Sequence, residues 1–385
     1  MDHYIDIVIY THPIFLTSSS FLFQQLESLY WTITTPISSR ELALERIYTK
    51  KEMERKHRIV KAFLKWSSLP EFRQDLDLVD ALDDFASIIS RSKRGIEVEW
   101  SQHLRDAIIK PMPSSPEIQR KIPKMAKSTF LSKRIDFETV SFTDIDLNEM
   151  IRHLTSVDWK LFKRIQIDEL VKKAWSLPDK ETLSPNLVNF IESFNRNARW
   201  IASEIMTCSN GKLRVKIVER CIEIMKGLKT LQNFHGMFSF YCALNMASVQ
   251  KLHRVWEAVN RKYISMVQEV ELFIDATNNY ANYRSFVNKL NPPFIPFEGI
   301  FLQDIIQLET EPDVVENGMI NFIKMDKLAY LLAPIKKAQM ATYKYKESSY
   351  LNDYIRRGFL LSEEELYRRA ILLYKQEISN SVSGR

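Results

Sequence analysis

Glycine is scarce in this chain, and the scarcity limits the possible folds and sites more than any other feature of the sequence. Only 8 of the 385 residues are glycine, and the closest pair, Gly227 and Gly236, is nine positions apart. No phosphate-cradling loop can be built at that spacing, so neither the dinucleotide-binding fingerprint nor the P-loop is present. Tight hairpin turns also need glycine, and strand-like alternating runs are rare. We therefore predict an all-α protein.

Length and charge indicate a globular protein of two domains. The chain exceeds the roughly 100–200 residues of one domain, and its 45% hydrophobic and 26% charged residues are ordinary globular values. A net charge of +6 on 54 basic and 48 acidic residues is a small excess. We therefore predict no nucleic-acid partner.

The residues that usually hold metals or disulfides show no local pattern. The cysteines Cys208, Cys221 and Cys242 match no zinc or redox spacing, and the seven histidines form no His-Glu-x-x-His motif. We predict no metal site and no cofactor, although a nonlocal Ser-His-Asp site stays open. Without a secretory signal, an 18-residue apolar run or a lipidation motif, the expected location is cytoplasmic.

Helical spacing of apolar residues recurs on both sides of a proline-rich segment. It predicts helices around residues 21–30, 59–66, 76–88 and 213–231, the last of them buried. Four prolines and several basic residues alternate between Lys110 and Arg134, which is typical of a linker. The predicted organisation is a helical domain over 1–92, a linker over 93–139, a larger helical domain over 140–378 and a tail over 379–385.

A helical hairpin with a rigid base is predicted between residues 256 and 296. Apolar residues follow one helical face from Trp256 to Phe273, a turn-forming stretch follows at 275–279, and the helical spacing then resumes. The next segment contains three prolines, which fix φ and prevent helix formation. Its rigid residues are Asn291, Pro292, Pro293, Phe294 and Pro296.

This proline segment resembles the Asn-Pro-Pro-x-x-Pro-Phe stretch of Ras-type guanine-nucleotide exchange domains, the family of Son of Sevenless and the Ras guanine-nucleotide-releasing factors. Gly299-Ile300-Phe301-Leu302 continues the resemblance, which covers about residues 140–378. Further matching motifs occur in the family's order. They include Ser184-Pro185-Asn186, Phe194-Asn195, Trp200-Ile201-Ala202, Arg214-Val215-Lys216, Leu231-Gln232-Asn233-Phe234, Ala243-Leu244-Asn245, Asn317-Gly318-Met319-Ile320-Asn321-Phe322 and Leu361-Ser362-Glu363-Glu364-Glu365-Leu366-Tyr367.

The N-terminal segment is similar, more loosely, to the Ras exchanger motif domain that precedes such exchange domains. The matching residues are Thr11-His12-Pro13, Phe21-Leu22-Phe23, Thr35-Pro36 and the stretch 59–69. The resemblance implies a larger domain shaped as a helical bowl with a protruding hairpin, which the first domain supports. It also implies a partner, a small GTPase of Ras, Rap or Ral type, and a mechanism without covalent chemistry.

The resemblance assigns roles to particular residues. The inserted helix would cover about residues 260–273, with Glu269 as the acidic contact near the magnesium and phosphate positions and Met266 as the apolar plug. These two residues lie three apart and so share a face, although the register could slip by one. The predicted GTPase contacts are Leu187, Asn195, Arg199, Trp256, Tyr263 and Val270.

Four of these assignments have a structural alternative. Glu269 could be a solvated helix carboxylate, Met266 could be core packing, Asn195 a satisfied buried amide and Trp256 an internal anchor of the hairpin. The sequence also departs from the family at 246–249, where a Ser-Ser-Pro turn is usual. That difference puts in doubt which GTPase is recognised.

Two alternatives to an active exchange factor follow for the whole chain. A scaffold could keep the fold and bind a GTPase without accelerating release, but the full-length hairpin with its carboxylate at Glu269 favours the exchanger. The second alternative is an α-helical enzyme with a nonlocal catalytic site, but no cluster of residues in the sequence supports it. The basic linker is also compatible with weak contact to an anionic membrane, and the alternative is a solvated tether.

Overall fold

The computed structural model describes residues 2–16, 18–32, 42–92, 94–109, 117–118, 141–315 and 318–382. Within these residues the chain is all-α, as predicted. The first six helices are α1 (Asp2–Phe15), α2 (Ser19–Trp31), α3 (Leu42–Trp66), α4 (Pro70–Gln74), α5 (Leu76–Ile89) and α6 (Gly95–Ile109).

Thirteen further α-helices follow in the described part of the chain. They are α7 (Leu147–Phe162), α8 (Lys180–Leu183), α9 (Pro185–Thr207), α10 (Gly211–Thr230), α11 (Phe234–Asn245), α12 (Ala247–Gln250), α13 (His253–Ala258), α14 (Arg261–Phe273), α15 (Ala281–Asn288), α16 (Glu298–Leu308), α17 (Phe322–Gln339), α18 (Ser349–Arg357) and α19 (Glu363–Val382). The short 3₁₀ turns are Phe142–Asp144, Asp168–Leu170 and Ala174–Ser176. Two strands, β1 (Glu117–Ile118) and β2 (Thr342–Tyr343), pair in parallel.

The chain divides into two compact units. The first unit comprises residues 1–115, 166–172 and 305–332, and the second comprises 116–165, 173–304 and 333–385. No helix in the described part of the chain is both long and apolar enough to cross a membrane.

The first unit has its own aromatic core. Phe63 and Phe85 are fully buried and lie 5.2 Å apart between ring centroids, and Phe23 packs on Phe63 at 4.7 Å. The helices predicted around 21–30, 59–66 and 76–88 are present as α2, the end of α3 and α5. Leu76 and Ile88, at the two ends of α5, are exposed.

Two predicted boundaries differ from the structure. The linker was predicted to begin at residue 93, but residues 95–109 form α6, whose Trp100 and Leu104 are buried. The proline pattern begins only after this helix, and most of the linker lies outside the described residues, as do Thr35, Pro36 and Asn317 of the family motifs. At the other end, α19 continues to Val382, inside the predicted tail.

The second unit is built around α10, which α7, α9 and α11 contact. Ile217, Cys221 and Met225 are all less than 4% exposed, which confirms that this helix is buried. Gly227 lets α7 approach closely, because a Cβ there would lie 2.2 Å from the Cδ1 of Ile151. The packing of α10 therefore fixes the surface on which the hairpin rests.

Candidate functional site

The predicted hairpin is present as α14, a turn and α15. The Asn260 side chain caps α14 by accepting a hydrogen bond from the Lys262 amide at 3.0 Å. The helix ends at Phe273, and the chain then turns, with Asn279 and Tyr280 at positive φ just before α15. Residues 261–288 thus form two helices joined by a short turn, and we call them the hairpin.

The beginning of α14 is held by two carboxylates of α10. Glu219 accepts a hydrogen bond from the Asn260 amide at 3.0 Å, and Glu223 accepts one from the Tyr263 hydroxyl at 3.0 Å. Glu219 and Glu223 are four residues apart, so they lie on the same side of α10. This side of α10 therefore fixes the N-terminal turn of α14.

The same side of α10 contacts the remainder of α14 through lysines. Lys226 Nζ lies 3.4 Å from Glu269 Oε2, and Lys229 Nζ lies 4.1 Å from the centre of the Phe273 ring. Later residues of α10 meet later residues of α14, so the two helices run in the same direction. The Lys226–Glu269 pair is largely exposed, so it contributes at most about 1 kcal/mol.

Aromatic rings join the hairpin to α11. Tyr283 of α15 is buried and packs edge-on against Phe234 and Phe238 of α11, at 5.3 and 5.8 Å between ring centroids. Phe273 of α14 lies 5.7 Å from the same tyrosine ring. The Tyr283 hydroxyl accepts a hydrogen bond from the Phe297 amide at 2.9 Å. One side chain thus connects both hairpin helices to α11 and to the proline segment.

Backbone hydrogen bonds also hold the proline segment against the residues between α10 and the start of α11. The Ile295 amide donates to the Gln232 carbonyl at 2.9 Å, and the Phe234 amide donates to the Ile295 carbonyl at 2.8 Å. Most of the predicted support residues are buried here. Pro293, Phe294 and Pro296 are buried, Pro292 is half-buried and Asn291 is exposed.

The predicted catalytic residues lie on the accessible side of α14. The Glu269 side chain is 62% exposed, and Met266, one turn earlier, is half-buried. Tyr263 and Val270 were predicted GTPase contacts, yet they are only 8% and 2% exposed because they form the inward stripe of the same helix. In this structure neither offers a surface to a partner.

The remaining predicted contacts divide in the same way. Asn195 and Arg199 are exposed, four residues apart on α9, and so share one side of that helix. Leu187 of α9 is completely buried, because it lies on the core-facing stripe. Trp256 is half-buried, and its indole N–H donates to the Val249 carbonyl at 3.2 Å. Its anchored ring therefore still presents an edge to solvent.

Comparison with known protein families assigns this region. The RasGEF domain family matches residues 149–326, which include α10, the hairpin and the proline segment. The chain carries a RasGEF domain. The match covers every exchange-domain motif found in the sequence except the last one, at 361–367.

Individual relatives of the RasGEF domain carry the same kind of name. Ras guanine nucleotide exchange factor Q of Dictyostelium discoideum is 32% identical over 262 residues, which is 68% of this chain and 20% of the relative. Protein son of sevenless of Drosophila melanogaster is 31% identical over 208 residues, 54% of this chain and 13% of the relative. Ras-specific guanine nucleotide-releasing factor 1 of Mus musculus is 25% identical over 241 residues, 61% of this chain and 19% of the relative. The chain thus spans a fifth or less of these relatives' length.

A buried polar cluster lies inside the RasGEF domain, close to the proline segment. His235 is fully buried; its Nδ1 lies 2.7 Å from Glu298 Oε2 and its Nε2 lies 3.9 Å from Asp158 Oδ1. Asn233 donates to the other Asp158 oxygen at 2.7 Å. Burial lowers the pKa of His235, but the two carboxylates outweigh it and raise that pKa above its ordinary value. Burial also raises the pKa of Asp158.

Sequence reasoning missed two features of the RasGEF domain. The polar side of α10 could have been suspected from the spacing of Glu219, Glu223 and Lys226, which repeats every three or four residues. The pairing of His235 with Glu298 gave no local signal, because 63 residues separate them. Within the described residues no group of three or more His, Cys, Asp or Glu side chains could hold a metal ion.

Proposed function

We propose that this chain is a guanine-nucleotide exchange factor for a Ras-family small GTPase of Ras, Rap or Ral type. The observation that carries the proposal is the RasGEF domain match together with a full-length hairpin whose accessible side presents Glu269. The names of the relatives support the same class of activity. The hairpin inserts into the GTPase and opens its nucleotide site.

The physical problem that such a factor solves is slow release. A GTPase that binds GDP with a Kd on the order of 10 pM, and rebinds it at about 10⁶–10⁷ M⁻¹s⁻¹, loses its nucleotide only about once in hours to a day. An exchange factor that prefers the empty GTPase weakens nucleotide binding by the same factor, because the two equilibria are linked. No covalent chemistry is required.

Residues of the hairpin divide this work. Glu269 places a negative charge near the magnesium and phosphate positions, and Met266 places an apolar group beside them. Asn195 and Arg199 of α9 and the exposed edge of Trp256 contact the GTPase. We leave Leu187, Tyr263 and Val270 out of this surface because they are buried. Tyr263 and Val270 hold the hairpin, together with the segment 291–296, whereas Leu187 packs in the core beneath α9.

The first test is release of a fluorescent GDP analogue from a panel of Ras, Rap and Ral GTPases in excess unlabelled nucleotide. We expect the wild-type chain to accelerate release from at least one member. Glu269→Ala should reduce that acceleration about 5- to 150-fold, the usual range of a coupling between two ligands. Glu271→Ala is the matched control, because Glu271 is an exposed carboxylate two residues further along α14.

The alternatives to exchange activity give different results in this assay. Binding to a GTPase with no acceleration of release by the wild-type chain would identify a non-catalytic scaffold. Equal activity of wild type and Glu269→Ala would retain the exchange function but remove the role assigned to that carboxylate.

We also propose that residues 1–92 form a Ras exchanger motif domain that supports the hairpin. Deleting residues 1–90 is expected to lower the exchange rate about tenfold or more, equivalent to roughly 1.4 kcal/mol. The thermal unfolding of the deleted chain must still show a folded RasGEF domain. Unchanged exchange activity in a folded deletion variant would remove the supporting role.

The cellular setting belongs to the same proposal. The chain acts in the cytoplasm, where the basic residues between Lys110 and Arg134 add weak electrostatic contact with an anionic membrane. That contact requires no ordered structure in the linker.

A further inference from the structure

Basic residues are concentrated in two short stretches of the second unit. Residues 159–165 and 336–347 together contain seven lysines and arginines but a single acidic residue, Glu347. The excess of six positive charges in these two short stretches is as large as the net charge of +6 of the whole chain. We call these seven residues the basic ridge. They are Lys160, Lys163, Arg164, Lys336, Lys337, Lys344 and Lys346.

The two stretches lie side by side. The Gln339 amide group donates to the carbonyls of Phe162 and Ile165, at 2.9 and 3.2 Å, which places the end of α17 against the end of α7. Lys163 Nζ then donates to Thr342 Oγ1 at 3.1 Å. The charges of both stretches therefore act on the same part of the surface.

The segment after α17 directs its lysines outward. Ala341 and Tyr343 are buried, whereas Lys344 and Lys346 are exposed, as expected for an extended strand with alternating sides. The Tyr343 hydroxyl donates to the Leu231 carbonyl at 2.6 Å, which fixes the segment on the core. The outward lysines thus have a rigid support.

A second basic stretch of the chain is attached at the same place. β1 pairs with β2, so that Glu117 lies opposite Thr342 and Ile118 opposite Tyr343. Residues 110–134, which contain β1, include seven basic residues and one acidic residue. β1 thus lies beside the segment that leads to Lys344 and Lys346.

We propose that the basic ridge binds the surface of an anionic lipid bilayer. This goes beyond a weak contact through the linker alone, and it does not depend on the exchange function. Six of its seven residues are lysine, a compact point charge suited to a diffuse anionic surface, whereas arginine dominates the bidentate recognition of nucleic-acid phosphates. The Tyr343 ring is buried, so it provides no platform on which bases could stack.

An exposed apolar side chain, Met340, also favours a lipid bilayer as the ligand. Met340 is 67% exposed and lies in the chain between Lys337 and Lys344. A flexible apolar side chain among lysines can enter the headgroup region while the ammonium groups stay at the phosphates. An acidic protein or a nucleic acid offers no comparable apolar layer.

Binding of the full chain to phosphatidylcholine vesicles with and without roughly 30% phosphatidylserine tests this proposal. Each lysine near the anionic surface should add about 1 kcal/mol to the binding free energy. Lys344→Ala/Lys346→Ala should weaken binding on the order of 25-fold, or about fivefold per lysine. The matched control is Lys212→Ala/Lys216→Ala. These exposed lysines lie at the start of α10, and Leu231, which accepts from Tyr343, follows its end.

Three outcomes would overturn the proposal. They are wild-type binding that does not depend on phosphatidylserine, equal weakening by the ridge and control variants, and tighter binding to single-stranded DNA than to the anionic vesicles at the same salt concentration. Equal thermal unfolding temperatures of both variants show that the fold is intact. Solution exchange on a soluble GTPase should be unchanged in the ridge variant, which separates this result from the exchange function.

Discussion

Replacing Glu298 with alanine is expected to lower the free energy of unfolding by about 3–5 kcal/mol, because it breaks a buried ion pair by removing one partner. Glu298 is 4% exposed, and its Oε2 lies 2.7 Å from His235 Nδ1. In the variant the His235 imidazole would keep the Ser193 hydroxyl, 3.4 Å from Nε2, and the Asp158 carboxylate, whose Oδ1 is 3.9 Å from the same nitrogen. Equilibrium urea unfolding of the full chain measures the difference.

The matched control is Glu298→Gln, which keeps the shape and an acceptor oxygen but removes the charge. Its cost should be smaller, about 1–3 kcal/mol, the usual penalty for a weakened buried hydrogen bond to a charged group. In high urea, both variants should have the same tryptophan and tyrosine fluorescence as the wild type, because the unfolded chains differ by only one side chain. If Glu298→Gln lowers the free energy of unfolding as much as Glu298→Ala does, the cost comes from the lost charge and not from the cavity.

The pH dependence of that control follows from the raised pKa of His235. A raised folded-state pKa stabilises the fold below the ordinary value of 6.5, and this stabilisation is lost as the pH rises through the folded-state pKa. The cost of Glu298→Gln should therefore be larger at pH 6 than at pH 9. An equal cost at both pH values would mean that His235 is neutral in the folded protein.

Features of the fold that depend on local sequence could be predicted. The apolar spacing of α10 and the prolines after Leu290 act on their own backbone, and the structure has a buried helix and a non-helical segment at those places. The turn between α14 and α15 was visible for the same reason. The helical spacing of apolar residues and the fixed φ of proline are properties of the local sequence, so both can be read without knowing which distant residues make contact.

Features that depend on distant contacts could not be predicted. The apolar residues of α14 form a wide stripe, and only the contacts with Glu219 and Glu223 of α10 decide that Tyr263 faces inward while Glu269 faces outward. Leu187 shows the same limitation on α9. The sequence offered candidate residues for the site but did not show which side of each helix is buried.

The largest expected effect on the proposed exchange activity comes from Tyr283, which is buried and is not among the residues proposed to contact the GTPase. Tyr283→Ala should reduce exchange on the order of a hundredfold while Glu269 stays intact. The substitution removes a buried ring that contacts Phe234, Phe238 and Phe273, and it also removes the hydroxyl that accepts from the Phe297 amide. A cavity of this kind costs about 3–5 kcal/mol.

That cost acts on the position of the hairpin more than on the rest of the second unit, because Tyr283, together with Phe286, joins α15 to α11. A loss of about 2.8 kcal/mol in the docking of the hairpin lowers the population of the competent arrangement a hundredfold if docking is only marginally favourable. Amide hydrogen exchange would show faster exchange in residues 261–288, with α7 and α9 unchanged. Release of the fluorescent GDP analogue gives the activity.

Tyr283→Phe separates the ring from the hydroxyl. It keeps the aromatic contacts and loses one hydrogen bond, worth about 1 kcal/mol, so exchange should stay within roughly fivefold of wild type. Full activity of Tyr283→Ala with a demonstrably mobile hairpin would show that exchange does not need a docked hairpin. The expected result is that both Tyr283→Ala and Glu269→Ala lose exchange activity, but that only Tyr283→Ala makes the hairpin mobile. Tyr283 would then act by holding the hairpin in place, and Glu269 would act through its carboxylate.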